Sequence, residues 1–276
     1  LNSDPPPNLK GRLPFTLSTT SFIYPDSYTN NVRKLGPLVD EIELLLFESA
    51  GIPSKANIRE LSELGAEYDL SFNIHLPLDV YLTVESALLR AQAADTLLRV
   101  FELTAPLKPS THTLHLPYFS RTSDADEIQQ WQATALDGLN QLLARGIKRE
   151  GISLETLDYP FNWLYPIVAE TDIPICLDVG HVLCHGYALK EALQLFDNKI
   201  MIMHLHGVQK KVDHLSLDKL DAQYVDPVLE MLNRFTGIVS LEVFSHDDLM
   251  GSLSFIQKHL LIPSQELPEG KTYRCY

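Results

Sequence analysis

Histidines and carboxylates recur in this chain at one repeated kind of place, the end of a short apolar run. SFNIHLP carries His75, THTLHLP carries His115, ISLETLD carries Glu155, and ICLDVGH carries Asp178 with His181 three residues on. MHLHG adds His204 and His206, VDHLSL adds Asp213 and His214, and VSLEVFS closes the series with Glu242. A lone histidine in such a run is ordinarily a satisfied core or rim residue. A series of them is different, because each buried ionisable group costs several kcal/mol unless it is paired or bound to a cation. Imidazole and carboxylate without a matching thiolate set suit Zn, Mn, Fe or Co in a site with open positions, which is the chemistry of metal-assisted catalysis.

The elements that must position these groups are parallel strands. From Leu13 onward short apolar runs alternate with longer segments of helical period, the rhythm of βα units. Eight strands are expected: Phe15–Tyr24, Ile42–Phe47, Leu70–Leu76, Thr111–Leu116, Ile152–Leu157, Pro174–Val179, Ile200–Leu205 and Ile238–Val243. Between them, Ile128, Trp131, Leu136, Leu139, Leu142 and Leu143 form an apolar helical stripe that leaves Asp126, Gln129 and Gln132 outside. Asn57 with Glu60 reads as a helix start, and Gly146 as a helix stop. The fold class is α/β, a (β/α)8 barrel, whose ionisable strand ends share one mouth. The expected divisions are a flexible extension over residues 1–12, the barrel over 13–262, and a C-terminal extension over 263–276. Position 1 is not Met, as expected of a trimmed chain.

Composition limits the partners. The chain has 276 residues, 45% hydrophobic and 21% charged, enough for a sizeable core. A net charge of −14 disfavours gripping nucleic acid, although bound cations would offset it locally. Cys176, Cys184 and Cys275 show no paired spacing, which fits a reducing, cytoplasmic setting. No run is long and apolar enough to span a bilayer. No oligomeric state is assigned. Nucleophile-elbow, phosphate-loop, dinucleotide and HExxH patterns are all missing from the sequence.

Several residues are given plainer readings. His112 is expected to face the barrel interior, and with His185, His246 and His259 it is assigned no role. Cys176 is read as a small buried hydrophobe. Asp218, Asp221 and Asp226 read as a solvated face, whereas Glu43 and Glu48 lie within reach of the cavity. Tyr24, Tyr118 and Phe119 are placed at the rim, with Tyr24 and Tyr118 as substrate contacts. Arg121, Lys210 and Lys211 stand as phosphate contacts against the alternative of solvated loop charges.

Taken together, Glu155, the DVGH segment, MHLH, VDH and Glu242 resemble the xylose-isomerase-like TIM barrels of the endonuclease IV (AP endonuclease family 2) superfamily, over strands three to eight. That resemblance implies divalent metal ligands at His75, His115, Glu155, Asp178, His181, His204, Asp213, His214 and Glu242, with Zn or Mn at one to three ions per chain. It departs from the pattern at Asp213 and His214, which are adjacent where the family separates them by one residue. The single-metal core of the sugar isomerases and epimerases would correspond to Glu155, Asp178, His204 and Glu242.

The segment TTSFIYPDSYTNNVRKLGPLVDEIELLLFES resembles the opening of the cobamide-remodelling phosphodiesterases, the CbiR family. This implies a corrinoid substrate, hydrolysis of the nucleotide-loop phosphodiester of an adenosylcobamide, and release of adenosylcobinamide phosphate and an α-riboside. Metal-assisted hydrolysis would rest on Glu155, Glu242 and Asp178 as catalytic groups, with Glu242 or Glu155 orienting the attacking water. The alternatives are an AP-endonuclease-like DNA repair enzyme, a sugar isomerase or epimerase using one metal, and a barrel that binds ligand without turnover.

Overall fold

The computed structural model describes residues 7–120 and 122–261. Strands β1 (Thr16–Thr20), β2 (Glu41–Leu45), β3 (Ser71–His75), β4 (His112–Leu114), β5 (Ile152–Glu155), β6 (Ile175–Asp178), β7 (Ile200–Leu205) and β10 (Ile238–Leu241) close into a parallel barrel in that cyclic order. Strands β8 (Gly207–Gln209) and β9 (Val212–Leu215), which the apolar pattern did not announce, pair antiparallel as a hairpin after β7. Helices α1 (Tyr28–Leu35), α2 (Lys55–Tyr68), α3 (Ala87–Thr104), α4 (Ala125–Leu143), α5 (Tyr165–Thr171), α6 (Val179–Cys184), α7 (Leu189–Phe196), α8 (Ala222–Leu232) and α9 (His246–Leu260) lie between and after the strands, with short 3-10 turns among them. The chain is a (β/α)8 barrel.

Strand alternation sorts the residues into two environments. Leu17, Ile42, Leu44, Phe72, Ile74, Leu154, Leu177 and Leu241 are buried in the large apolar layer between sheet and helices. The intervening residues point into the barrel, where Cys176, Ile202 and Ile238 form a separate small apolar cluster. Most other inward groups are polar. At one end Glu41 accepts from Asn73 Nδ2 at 2.7 Å, Ser71 Oγ at 2.7 Å and Ser110 Oγ at 2.9 Å. At the other end the register sets Asp178 beside His204 and His204 beside Ser240.

Helix α4 buries Trp131, Leu139 and Leu142, and Asp124 caps its start by accepting from the Asp126 and Glu127 amides. Gly146 follows at φ 93, a conformation that a residue with a Cβ resists. The cap of α2 lies earlier than Asn57 implied: Ser54 is the N-cap and Asn57 its reciprocal partner, while Glu60 pairs with Arg33.

Two expectations are corrected. Residues 7–12 are anchored: Leu9 is fully buried and Lys10 Nζ donates to the carbonyls of Gly36 and Tyr68 at 3.0 and 2.7 Å. His112 faces out of the barrel, because it shares the parity of Leu114. It stacks on Phe101 of α3 at 3.8 Å between centroids, with Thr104 Oγ1 and the Gly151 carbonyl each 3.1 Å from a ring nitrogen. The expected extension over 263–276 lies outside the described residues.

Candidate metal centre

The carboxyl ends of the strands bring their side chains to one mouth. Glu155, ending β5, is the common member: Oε2 lies 3.1 Å from His75 Nε2 and 2.8 Å from His115 Nε2. Its other oxygen, Oε1, lies 3.4 Å from His204 Nδ1, which is itself 3.3 Å from Glu242 Oε2. Asp178 completes a buried set of donors with Glu155, His204 and Glu242, all within 4.8 Å of one another. Glu43, on β2 across the barrel interior, accepts from His204 Nε2 at 3.0 Å and from Ser240 Oγ at 2.6 Å.

These atoms fit a divalent cation on grounds of hydrogen bonding alone. Asp178 Oδ2, His204 Nδ1 and Glu242 Oε2 are buried with no hydrogen-bond partner, a costly arrangement that a shared cation relieves. His75 is oriented for a cation too: Nδ1 lies 3.0 Å from the Leu76 carbonyl, which holds a proton there and turns Nε2 toward Glu155 as the nitrogen a cation would take.

The electrostatics show charge exchanged among these groups in the absence of a cation. Burial works to raise the Glu155 carboxyl, but the imidazoles of His115 and His204 outweigh it and hold the group well below the usual range. Burial also works against protonation of His181, yet Asp178, Glu155 and Glu242 push it up to about 9. His204 is likewise raised despite burial, by the carboxylates of Glu43, Glu155 and Glu242. The Cys176 thiol, within 4.8 Å of Glu155 and His204 donors, is driven upward by burial and remains a protonated inward group.

The residues named from the sequence divide clearly. His75, His115, Glu155, Asp178, His204 and Glu242 fall in groups that share Glu155, while His181 and His214 belong to a separate group. Asp213 does not join them. Asp213 lies instead beside the Cys184 thiol, which burial and then Asp213 raise. The third group instead contains His206, with His181 and His214.

Among the rim residues, Tyr24 is engaged with Lys34, whose Nζ sits 4.4 Å over its ring, and with His246. Tyr118 donates to the Thr122 carbonyl and packs edge-on to Trp131 and Trp163, so it is barrel packing rather than open mouth. Lys210 is exposed at the hairpin turn at φ 52, and its backbone amide donates to Asp221. Arg121 lies outside the described residues. Phe119, read as a rim residue, is 64% exposed and packs edge-on to Tyr81. Phe22 and Phe244 are 42% and 39% exposed, and Phe22, Phe47 and Phe244 run as a chain of ring contacts that ends on His214, 5.1 Å from Phe244. Sequence reasoning missed these rings. The available signal was three phenylalanines just past the ends of the first, second and eighth barrel strands.

Fold and site define an α/β barrel enzyme with buried His/Glu clusters of the kind that hold divalent metal. Residues 30–264 match the family described as Xylose isomerase-like TIM barrel, and the chain belongs to that family. No curated protein sequence matches it. Among solved structures, a D-tagatose 3-epimerase-like protein superposes with TM-score 0.75 at 18% identity, covering 90% of this chain and 97% of its own. D-psicose 3-epimerase from Clostridium cellulolyticum H10 gives 0.68 at 12% identity, covering 90% and 99%. The probable 3-DHS dehydratase AsbF of Bacillus anthracis gives 0.67 at 16%, covering 88% and 99%. Identities this low establish the fold and leave the reaction to the site. Among the described residues no helix is long and apolar enough to cross a membrane.

Proposed function

We propose that the chain is a metal-dependent phosphodiesterase acting on a small-molecule substrate, specifically the nucleotide-loop phosphodiester of an adenosylcobamide. The carrying observation is the bridging geometry of Glu155, whose Oε2 serves His75 and His115 while Oε1 serves His204. One carboxylate shared between two donor sets suits two neighbouring cations, an arrangement suited to in-line displacement at phosphorus. Divalent metal bound there would lower the pKa of a water and neutralise charge building on the phosphoryl oxygens.

The protein's own residues have separable tasks in this reading. His75, His115 and Glu155 hold one position, and Glu155, Asp178, His204 and Glu242 hold the other. Glu43 fixes the His204 ring through Nε2. Glu242, with 7% of its surface exposed, is the carboxylate with access to the mouth and orients the attacking water. The phenylalanine chain beside His214 supplies a wall for a large apolar group of the ester. The resemblance of residues 19–49 to the CbiR family supplies the corrinoid, and the net charge of −14 favours it over DNA.

A second reading has its own observation. The group Glu155, Asp178, His204 and Glu242 by itself is a single-metal core, and the solved structures named above are largely sugar epimerases. A sugar isomerase or epimerase would need one cation, with His75 and His115 left to contact substrate.

The deciding experiment incubates metal-reconstituted protein with an adenosylcobamide in the dark and resolves products by chromatography with mass detection. Adenosylcobinamide phosphate with an α-riboside is expected. Intact cobamide across Zn, Mn, Fe and Co, in folded protein, overturns the reading; ketose epimerisation with one metal per chain would establish the second, and incision of an abasic duplex would move the substrate to DNA.

A further inference from the structure

His206 occupies an ambiguous place. Its ring is buried, Nε2 has no hydrogen-bond partner, and it stands with His181 and His214 in a group that could hold a cation. By composition alone that group is a third metal site made of three imidazoles.

The hydrogen bonding of the rings separates His206 from the others. An imidazole binds metal through the nitrogen that lacks a proton, and the partner of the other nitrogen decides which one that is. His75 has the Leu76 carbonyl 3.0 Å from Nδ1, and His214 has the Glu242 carbonyl 3.1 Å from Nδ1. His204 has the Glu43 carboxylate 3.0 Å from Nε2. Each of these partners accepts and so holds a proton on the nitrogen it faces, which makes the opposite nitrogen the one a cation would take. His206 is reversed: its Nδ1 accepts the backbone N–H of His214 at 2.8 Å. A backbone amide can only donate, so Nδ1 carries no proton and the neutral ring carries it on Nε2. That protonated nitrogen faces Asp178 Oδ1 at 3.3 Å.

Asp178 Oδ1 also accepts the His181 backbone amide at 2.7 Å. Oδ1 is thus approached from two sides, while Oδ2, 3.1 Å from His181 Nδ1, is the oxygen that no backbone amide holds. The ring in turn rests on Gly180: a Cβ there would fall 2.0, 2.2 and 2.4 Å from His206 Cε1, Nε2 and Nδ1. This accounts for the glycine within the DVGH segment, since any side chain would drive the ring off its seat.

We infer that His206 is a positioning residue and not a metal ligand: clamped between the His214 amide and Gly180, it directs an Nε2–H at Asp178 Oδ1 and turns Oδ2 toward the cation. The inference rests on the metal reading above for its consequence, and on hydrogen bonding alone for the tautomer. It leaves His181 and His214 without a third imidazole, so tight binding stops at the two positions that share Glu155.

The test uses full-length protein labelled with 15N-histidine, with long-range proton–nitrogen correlations recorded zinc-free and zinc-loaded. His206 should show the Nε2–H tautomer in both states, while His75 and His214 keep their proton on Nδ1. Loss of the His206 Nε2 proton on adding zinc overturns the inference. Zinc affinity and stoichiometry of three variants supply the second measurement. H206L and G180A should weaken zinc by about 10–100-fold, the scale for losing such a partner, and H206Q, which retains an N–H donor, should recover most of it. Equal loss of one zinc equivalent in H206Q and H206L would instead make His206 a ligand. Should the variants fail to fold, the wild-type spectra still decide. Should wild type bind no zinc, the metal reading falls, and the zinc-free tautomer still shows whether the ring is pinned.

Discussion

His204 Nε2 and Glu43 Oε1 lie 3.0 Å apart with both side chains fully buried, so the proton of this ring is fixed on the side away from the donor cluster. Nδ1 is thereby left facing Glu155 and Glu242. The relationship makes Glu43, on a strand that contributes nothing else to the cluster, a determinant of metal affinity. Removing it by Glu43→Ala frees the ring and strands its proton, and zinc affinity should fall by about 10–100-fold. Glu43→Gln keeps an acceptor in place and should fall less. Competition with a chromogenic chelator measures both, and an unchanged affinity in Glu43→Ala would remove Glu43 from the site.

Metal loading should release protons. His181 is pushed up to about 9 by neighbouring carboxylates and His204 is raised as well, so near neutral pH the cation-free site is protonated where a ligand must be bare. Zinc affinity therefore rises with pH through the neutral range. Calorimetric titration in two buffers of different ionisation enthalpy reads the proton count directly, and identical heats in both would contradict it. In the same framework Glu155→Gln strips the bridging charge from both positions, and turnover should drop by about 10³-fold or more, since groups acting as a unit fail together.

The strand ends were legible because a covered parallel strand ought to be apolar, so His75, His115, Glu155, Asp178, His204 and Glu242 stood out as exceptions. Ring orientation was not legible. Nothing in MHLHG distinguishes His204, whose Nδ1 faces the cluster, from His206, whose Nδ1 accepts a backbone amide. Asp213 was misplaced because a hairpin intervenes. Loop position carries no information about which way a ring turns, and Tyr24 turns to Lys34 while Tyr118 packs on Trp131 and Trp163. Phe119 is exposed, as its loop position implies, and so are Phe22 and Phe244, a residue type that reads as core until its surroundings are known.

Outside the site, His112 links acidity to stability. Burial against Phe101 depresses its pKa from 6.5 to about 4, although the Gly151 carbonyl pulls the other way. Between those values the unfolded chain takes up a proton that the folded chain refuses. The contribution of the neutral ring is thus complete above pH 6.5 and lost as pH falls toward 4, a change of about 3 kcal/mol. Other histidines titrate in the opposite sense, so the comparison is with His112→Gln: urea melts from pH 7 to 4 should show wild type losing its advantage over the variant. A constant difference across that range would refute the assignment.

The aromatic chain at the mouth predicts a separation of binding from chemistry. Phe244 lies 5.1 Å from the His214 ring and 6.3 Å from Phe47, which meets Phe22 at 4.7 Å, so this wall begins at the cluster and runs outward into solvent. An apolar group stacked there is held equally in the ground and transition states, and such uniform binding shows in KM rather than kcat. Phe22→Ala, at the exposed end, should raise KM for a cobamide several-fold with kcat and zinc content unchanged. Phe244→Ala removes a ring that touches His214 and should affect both. A substrate lacking the large apolar group should be indifferent to Phe22→Ala, and equal losses on both substrates would mean that the wall supports the fold and not the ligand.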